Sequence, residues 1–505
     1  MTLGPRLIPP TFNTLPSQDP HRVVGFLVPE KLTVNVDAVG FGVDPDGDGA
    51  RAVGLDAEAL ERLGFRGAIG DVLLVARDSG PVQIAVGVGP VDERSPGALR
   101  DAAAAFARAA ARFSRLALDL GVAFALPPRV IGQMIAEGAT LARYRYTVLQ
   151  PSSTDVPLVS VDIVTAPKDA EETLAGIAVA AATSRAAMIT RDLSNAPPGH
   201  LTATNLADAA VRLGELFDLE VEVFDLDALI ELGCGGLLGV NAGSAEEPRM
   251  IRITYSPQHP EHHVALVGKG ITYDAGGISL KPSDAMHLLM KMDMAGAAAV
   301  LGAMTGLGAL GCRSAVTGYL MCTDNVPSGT AIGLGDVLTI RGGTTVEIKN
   351  TDAEGRLVMA DALVLAAEQR PDAILDIATL TGSALQTLGP RVAAVFGNNQ
   401  AIVDQLIAAA ERVDEPIWQL PLEHRYRRQL DSTYADIANM GGPFNVAITA
   451  ALFLNEFVGD IPWGHLDIAG TMQSERDESW RSTGATGFGA RLLLDALVAF
   501  EPVRT

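Results

Sequence analysis

The stretch VALVGKGITYDAGGISLKP, residues 264–282, decides the architecture. It opens as an apolar run broken by Lys269, the pattern of a buried strand, and Gly276 and Gly277 then permit a tight backbone course. A charged loop directly after a buried strand is what an open α/β sheet places at the carboxyl ends of its strands. Two runs downstream repeat the pattern, AILDIATL at 373–380 and PWGHLDIAG at 462–470, with helical patterns between them. From residue 195 to the end, this alternation predicts a large doubly wound sheet.

Upstream, residues 21–165 alternate short β-rich runs (HRVVGFLV, GDVLLVAR, VQIAVGVG, YRYTVLQ, PLVSVDIV) with Ala-rich helical stretches, the longest being LRDAAAAFARAAARFSRLALDL at 99–120. That predicts a small α/β domain. Between the two regions, residues 169–194 carry an acidic first turn and a long apolar stripe. They predict a helix that ends at Asn195, before Pro197 and Pro198. The fold class expected is therefore α/β: a small N-terminal α/β domain (1–168) joined by a helix (169–194) to a larger C-terminal doubly wound, mixed-sheet catalytic domain (195–505).

Composition narrows the function. A length of 505 residues exceeds one ordinary domain, and 48% hydrophobic with 19% charged residues excludes wholesale disorder. A net charge of -22 disfavours nucleic acid and anionic lipid as partners. Three scattered cysteines, Cys234, Cys312 and Cys322, make neither a disulfide framework nor a zinc knuckle and fit a reducing cytoplasm. The first twenty residues lack a basic flank before an apolar core, so they read as a loose, Pro-punctuated tail rather than a signal peptide. The uncharged run between Asp293 and Arg313 is rich in Ala and Gly and reads as a buried helix plus turn, not a membrane span.

Familiar catalytic patterns are missing: there is no GxSxG, no HExxH, and Gly268-Lys269 is followed by Gly270, which is no P-loop. Asp44, Asp46 and Asp48 imitate a calcium loop, but the twelfth position is Leu55, so they read as a solvated turn. Carboxylates gather elsewhere. The segment from 264 offers Lys269, Asp274, Lys281 and Asp293, and VEIKNTDAEGRLVMADAL at 346–363 offers Asp352, Glu354 and Arg356 beside Gly355. If locally extended, the spacing of Asp352 and Glu354 points both carboxylates to one side. Two divalent ions ~3.5–4 Å apart need shared oxygen ligands, which carboxylates supply, and hard oxygens suit Mn, Mg or Zn. Isolated surface salt bridges are the plain alternative for each residue taken singly.

With these motifs in order, followed by TLTG at 379–382, HLDIAG at 465–470 and TGATGFGARLL at 483–493, the chain resembles the leucyl aminopeptidases, the cytosol aminopeptidases of metallopeptidase family M17. NTDAEGRL at 350–357 is the most specific of them. The resemblance is strong from about residue 175 onward and general before it.

The resemblance implies removal of N-terminal residues, preferably Leu or another hydrophobic residue, from peptides. It implies two divalent metal ions per subunit, Mn or Zn: one held by Asp274, Asp352 and Glu354, the second by Lys269, Asp274, Asp293 and Glu354. Lys281 would stabilise the oxyanion, and Arg356 would hold a bicarbonate acting as general base. Met290, Thr379, Gly382, Ala469 and Met472 would form the substrate-binding pocket. A cytoplasmic homo-hexamer acting on peptides, with no membrane partner, is also implied. The competing expectation is a catalytically quiet relative that acts as a DNA-binding or regulatory protein. His259, His262 and His263 read as a surface loop, His465 as a core histidine, and Arg425, Arg427 and Arg428 as a solvated basic face.

Overall fold

The computed structural model describes residues 12–33, 35–120, 123–150 and 153–503. Residues 1–11 of the expected loose tail lie outside them. Two compact units emerge: Pro16–Met188 with Ser474–Gly484, and Ile189–Gln473 with the chain from Ala485 onward.

The smaller unit is built on six strands, β1 (Gly25–Leu27), β2 (Ala38–Val43), β3 (Val72–Val75), β4 (Val82–Gly87), β5 (Arg115–Asp119) and β6 (Ser160–Ile163), in the order β1-β6-β5-β2-β4-β3. All neighbours are parallel except β3 against β4. Helix α1 (Pro96–Ala109) starts where the Ser95 side chain accepts a hydrogen bond from the Ala98 amide and proline takes the first turn. Helix α2 (Pro128–Ala142) packs beside it. The core here joins Leu99, Phe106, Leu116, Leu118, Ile135, Val161 and Trp480.

Two expectations for this unit need correction. The stretch 99–120 is not one helix: α1 stops at Ala109 and β5 begins at Arg115. The Asp37 carboxylate accepts hydrogen bonds from the Ser114 and Arg115 amides at 3.1 and 2.9 Å, fixing the start of an RLALD run whose alternation suits a strand. YRYTVLQ at 144–150 forms no strand, and the chain passes from α2 to β6 without adding one to the sheet. Strand β2, AVGFGV, escaped prediction because two glycines dilute its apolar pattern.

Helix α3 (Ala170–Asn195) matches the expected span within one residue at each end and runs from one unit into the other. It is long and apolar enough to cross a membrane, yet 56% of its most apolar window is buried in the protein, as in a core helix.

The larger unit holds β7 (Glu220–Phe224), β8 (Arg249–Tyr255), β9 (His262–Asp274), β10 (Ser314–Asn325), β11 (Ala373–Ala378), β12 (Ala393–Gly397), β13 (Ile417–Gln419) and β14 (Trp463–Asp467), in the order β13-β12-β14-β11-β9-β10-β8-β7. The four central strands β14, β11, β9 and β10 are mutually parallel, and antiparallel pairs flank them, making the mixed sheet. Helix α4 (Ala295–Met304) is buried at every residue, so the uncharged run after Asp293 is a core helix as expected. Helices α5 (Gly355–Glu368) and α6 (Gly382–Leu388) follow the two loops of interest. The histidine reading changes: only His259 precedes the strand, whereas His262 and His263 open β9, where the His263 Nε2 lies 3.0 Å from the Thr317 hydroxyl.

In the smaller unit, the Arg100 guanidinium on α1 meets the Glu137 carboxylate on α2 at 3.0 Å, both side chains almost wholly buried, and Thr183 and Gln133 also donate to Glu137. Removing one partner of such a pair leaves a buried charge without its counter-ion. Glu137→Ala is expected to destabilise this unit by about 3–5 kcal/mol, read as an earlier urea transition in the full-length chain.

Candidate metal centre

Parallel strands bring their carboxyl ends to one edge of the sheet, and the charged residues lie there. Asp274 is the last residue of β9, and Lys269 lies five residues earlier in the same strand. Asp293 follows the short turn Leu289–Met292, and Asp352 and Glu354 precede α5. One oxygen from each of Asp274, Asp352 and Glu354 lies within 4.8 Å of the others. The local geometry differs from the expectation at one point. Glu354 is helical (φ -75°, ψ -36°) and Asp352 sits in a turn, so the pair converges through a turn entering a helix rather than along an extended segment.

Two lysines thread the cluster. The Lys269 ammonium lies 2.7 Å from Asp293 Oδ2 and 2.8 Å from Glu354 Oε1, and donates to the Thr379 carbonyl at 3.0 Å. The Lys281 ammonium lies 2.8 Å from Asp274 Oδ2 and 2.5 Å from Asp352 Oδ1. Four carboxylates thus face two ammonium groups, and negative charge remains in excess. Burial opposes the charge on both lysines, but the surrounding carboxylates outweigh it and hold both well above the ordinary lysine range. Burial and mutual repulsion push Asp274 and Asp293 up, and Asp352 up to about 7, while the two lysines overcome burial and draw Glu354 down.

Glycines make this crowding feasible at two places. Gly276 and Gly277 both take positive φ, +89° and +62°, and a Cβ on Gly276 would fall 2.5 Å from the Ser279 carbonyl oxygen. A Cβ on Gly355 would fall 2.6 Å from Cε and 2.8 Å from Nζ of Lys269.

The donor set fits divalent cations. Asp293 Oδ2, Asp352 Oδ1 and both Glu354 oxygens are buried atoms with no hydrogen bond among the described residues. The ammonium groups approach three of them at ion-pair distance without hydrogen-bond alignment. Hard oxygens in surplus, lacking directional donors, are what a divalent cation requires. Arg356 is buried, donates one Nη1 hydrogen bond to the Asn439 carbonyl at 2.8 Å, and keeps an Nε without a partner among the described residues. Burial pushes its guanidinium down to about 10 against the pull of Glu354 and Asp467, so an added anion there would be welcome.

Of the expected pocket residues, Thr379 does more than line a wall: its hydroxyl donates to Asp293 Oδ1 at 2.7 Å while its carbonyl accepts from Lys269. Gly382 opens α6, Ala469 follows β14, and Met290, in the turn before Asp293, and Met472, after β14, are both buried.

Residues that sequence reasoning passed over hold these parts in place. Asn325, at the end of β10, donates to Asp274 Oδ1 at 2.9 Å and to the Thr351 carbonyl at 3.0 Å. Asn439 accepts from the Lys349 and Asn350 amides and donates to the Asn350 and Ala353 carbonyls, clamping the loop that carries Asp352 and Glu354. Both are amides far along the chain from what they orient. Only the position of Asn325 at the end of a buried strand could have signalled a role.

Other candidates are structural. His465 is fully buried, with Nδ1 2.5 Å from Asp376 Oδ1, while Trp463 donates to the second Asp376 oxygen. Arg425 and Arg427 pair with Glu423, Glu456 and Asp431. Asp44 accepts from the Asp48 amide and pairs with Arg94, a turn rather than a calcium loop. Cavities of ≈ 400 and ≈ 390 Å³ both lie in the smaller unit, away from the cluster. The Arg143 guanidinium lining one of them is committed to the carbonyls of Ala107, Ala110, Ala111, Phe113 and Val156.

Comparison with known proteins gives a consistent picture. The catalytic domain of the cytosol aminopeptidase family matches residues 188–494, and the N-terminal domain of that family matches residues 48–152. A probable cytosol aminopeptidase of Streptomyces avermitilis is 42% identical over 500 residues, covering 92% of this chain and 95% of that one. Among solved structures, the bottromycin maturation enzyme BotP in complex with Mn aligns with a TM-score of 0.84 at 38% identity, covering 92% of this chain and 99% of that one. A tomato leucine aminopeptidase mutant aligns with a TM-score of 0.84 at 28% identity, covering 95% and 97%.

Because the Gly355 Cα leaves no room for a methyl group beside Lys269, Gly355→Ala is expected to displace that lysine and weaken Mn(II) binding by roughly tenfold or more. Calorimetric titration of the purified protein reads the effect, with near-ultraviolet dichroism confirming the fold.

Proposed function

The chain belongs to the cytosol aminopeptidase family, the M17 metallo-aminopeptidases, and from that premise we propose that it removes N-terminal leucine or another hydrophobic residue from peptides with two metal ions per subunit. The observation that carries this reading is the convergence of Asp274, Asp352 and Glu354 at the carboxyl ends of parallel strands.

Asp274, Asp352 and Glu354 would hold one ion, and Lys269, Asp274, Asp293 and Glu354 the other, with Mn or Zn as the species suited to these ligands. When bound, such ions polarise a peptide carbonyl and lower the pKa of water to near neutrality. Lys269 is protonated while it pairs with Asp293 and Glu354, and it serves as a ligand only as the neutral amine, so ion uptake and proton release are coupled there.

The remaining steps belong to this chain's own side chains. Lys281, at the end of the glycine loop and only partly exposed, is placed to donate to the oxyanion that develops on the scissile carbonyl. Arg356, with its unmatched Nε, is placed to hold a bicarbonate that accepts a proton. Thr379, Gly382, Ala469, Met290 and Met472 would receive the first side chain. Burying a leucyl group there contributes ~1.5–3 kcal/mol, enough to favour leucine over alanine by about one to two orders of magnitude. Assembly as a cytoplasmic homo-hexamer is part of the same reading, by likeness to the leucyl aminopeptidases.

Exhaustive chelation is expected to abolish leucine amide hydrolysis, and added Mn(II) or Zn(II) to restore it at two ions per chain by elemental analysis. Glu354→Ala should lower kcat/KM at least a thousandfold, on the order of 4 kcal/mol. Turnover that survives both treatments would reject the proposal.

A further inference from the structure

Two loops supply the walls of the proposed side-chain pocket, and they leave the sheet from neighbouring parallel strands. One, residues 379–382, follows β11, and the other, 468–472, follows β14. Between them stands Asp467, the last residue of β14, 1% exposed. Its Oδ1 accepts hydrogen bonds from the Leu380 amide at 3.2 Å, the Thr381 amide at 3.3 Å and the Ala469 amide at 3.2 Å. Its Oδ2 accepts from the Thr381 hydroxyl at 2.6 Å. No cation lies within ion-pair distance of this carboxylate among the described residues, although the Arg356 guanidinium feels its charge. Four donors from the two loops hold it instead.

The two loops also meet at their root, where the Ile468 amide donates to the Ala378 carbonyl at 2.8 Å, and at Gly470, where a Cβ would fall 2.5 Å from the Gly389 carbonyl oxygen and 3.3 Å from Leu385 of α6. Nearer Gly382 and Ala469, the Asp467 side chain bridges them by hydrogen bonds. Each of its oxygens is bound to the 379–382 loop, and Oδ1 also to the opposite one. A buried carboxylate that loses these donors, or donors that lose the carboxylate, would be left unsatisfied, so the geometry has one low-energy setting.

We infer that Asp467 is the positioning residue for side-chain selectivity: it fixes the width of the pocket by bridging the two loops that wall it, without touching the substrate itself. This rests on the aminopeptidase reading of that pocket. The carboxylate cluster is held by Asn325, Asn439 and the lysines rather than by Asp467, so altering Asp467 acts on which side chain is accepted and reaches the cluster only through its charge on Arg356, a charge that Asp467→Asn removes while keeping the bridge.

The test compares kcat/KM for leucine amide and alanine amide in the Mn-loaded full-length protein. Asp467→Ala should collapse the leucine-over-alanine ratio at least tenfold, mainly through a raised KM for leucine amide, with alanine amide turnover within about fivefold of the parent. Asp467→Asn should keep the ratio within about threefold, since its carbonyl still accepts the three amides and its amide can donate to the Thr381 hydroxyl. Thr381→Val removes the Oδ2 link together with the cap that the Thr381 hydroxyl gives the Ala384 amide at the start of α6, and should lower the ratio at least threefold, whereas Thr381→Ser keeps both bonds and should hold it within about threefold; this pair carries the test if Asp467→Ala fails to fold. A parent-like ratio in Asp467→Ala, or in Thr381→Val when that variant carries the test, overturns the inference. Equal loss of ratio in Asp467→Asn also overturns it, because charge rather than bridging would then be decisive. Absence of leucine preference in the parent protein would instead refute the reading of the pocket beneath it.

Discussion

Electrostatic compensation inside the sheet's carboxyl edge governs the rest of this structure. Burying one carboxylate without a partner costs several kcal/mol, and four are drawn together here. The protein meets that cost with two lysine ammonium groups that each span two carboxylates, with the Asn325 side-chain amide donating to Asp274 and with the Thr379 hydroxyl donating to Asp293. Charge balance is still incomplete. The surplus oxygens are an affinity for cations built into the fold, and the local backbone is shaped around them. Gly276, Gly277 and Gly355 occupy positions where a side chain would collide with the cluster or its support.

How much of this was legible in the sequence follows from the kind of interaction involved. Asp274, Asp352, Glu354, Lys269 and Lys281 could be found because charged residues among glycines and apolar runs are improbable unless they serve a purpose, and the structure gathers all five. Asp293 joins them through Lys269 and Thr379 rather than within the tightest triad. Asn439 and Asp467 could not be found that way. Asn439 acts through backbone amides and carbonyls distant in the chain, Asp467 accepts mainly from backbone amides, and backbone partners leave no trace in residue identity. The expected alignment of Asp352 and Glu354 was right in outcome but not in mechanism, because a turn entering α5 does what an extended segment was expected to do.

The fold was readable where one element owned its pattern. The β9 run, the helix from Ala170 and the buried α4 all carry an uninterrupted signal. Errors cluster where sheet neighbours decide. RLALD at the end of an Ala-rich stretch looks helical until Asp37 anchors its first amides beside β2, and YRYTVLQ has strand-forming residues yet pairs with no strand of the sheet. Strand formation depends on a partner elsewhere in the chain, whereas a helix closes its own hydrogen bonds.

Thr379 shows how the two tasks of the site are joined yet separable. Its carbonyl and hydroxyl face Lys269 and Asp293, while two residues later the same loop is gripped by Asp467. The two anchors use separate hydrogen bonds, and the charge of Asp467 on Arg356 is the link that runs between them. On the proposed reading of the pocket, variation in its apolar walls would retune the accepted side chain while leaving the carboxylates in place. Variation in the cluster is constrained by Gly355 and Lys269, whose contact leaves no spare volume. On physical grounds, relatives sharing this fold should diverge in the walls and agree at the cluster.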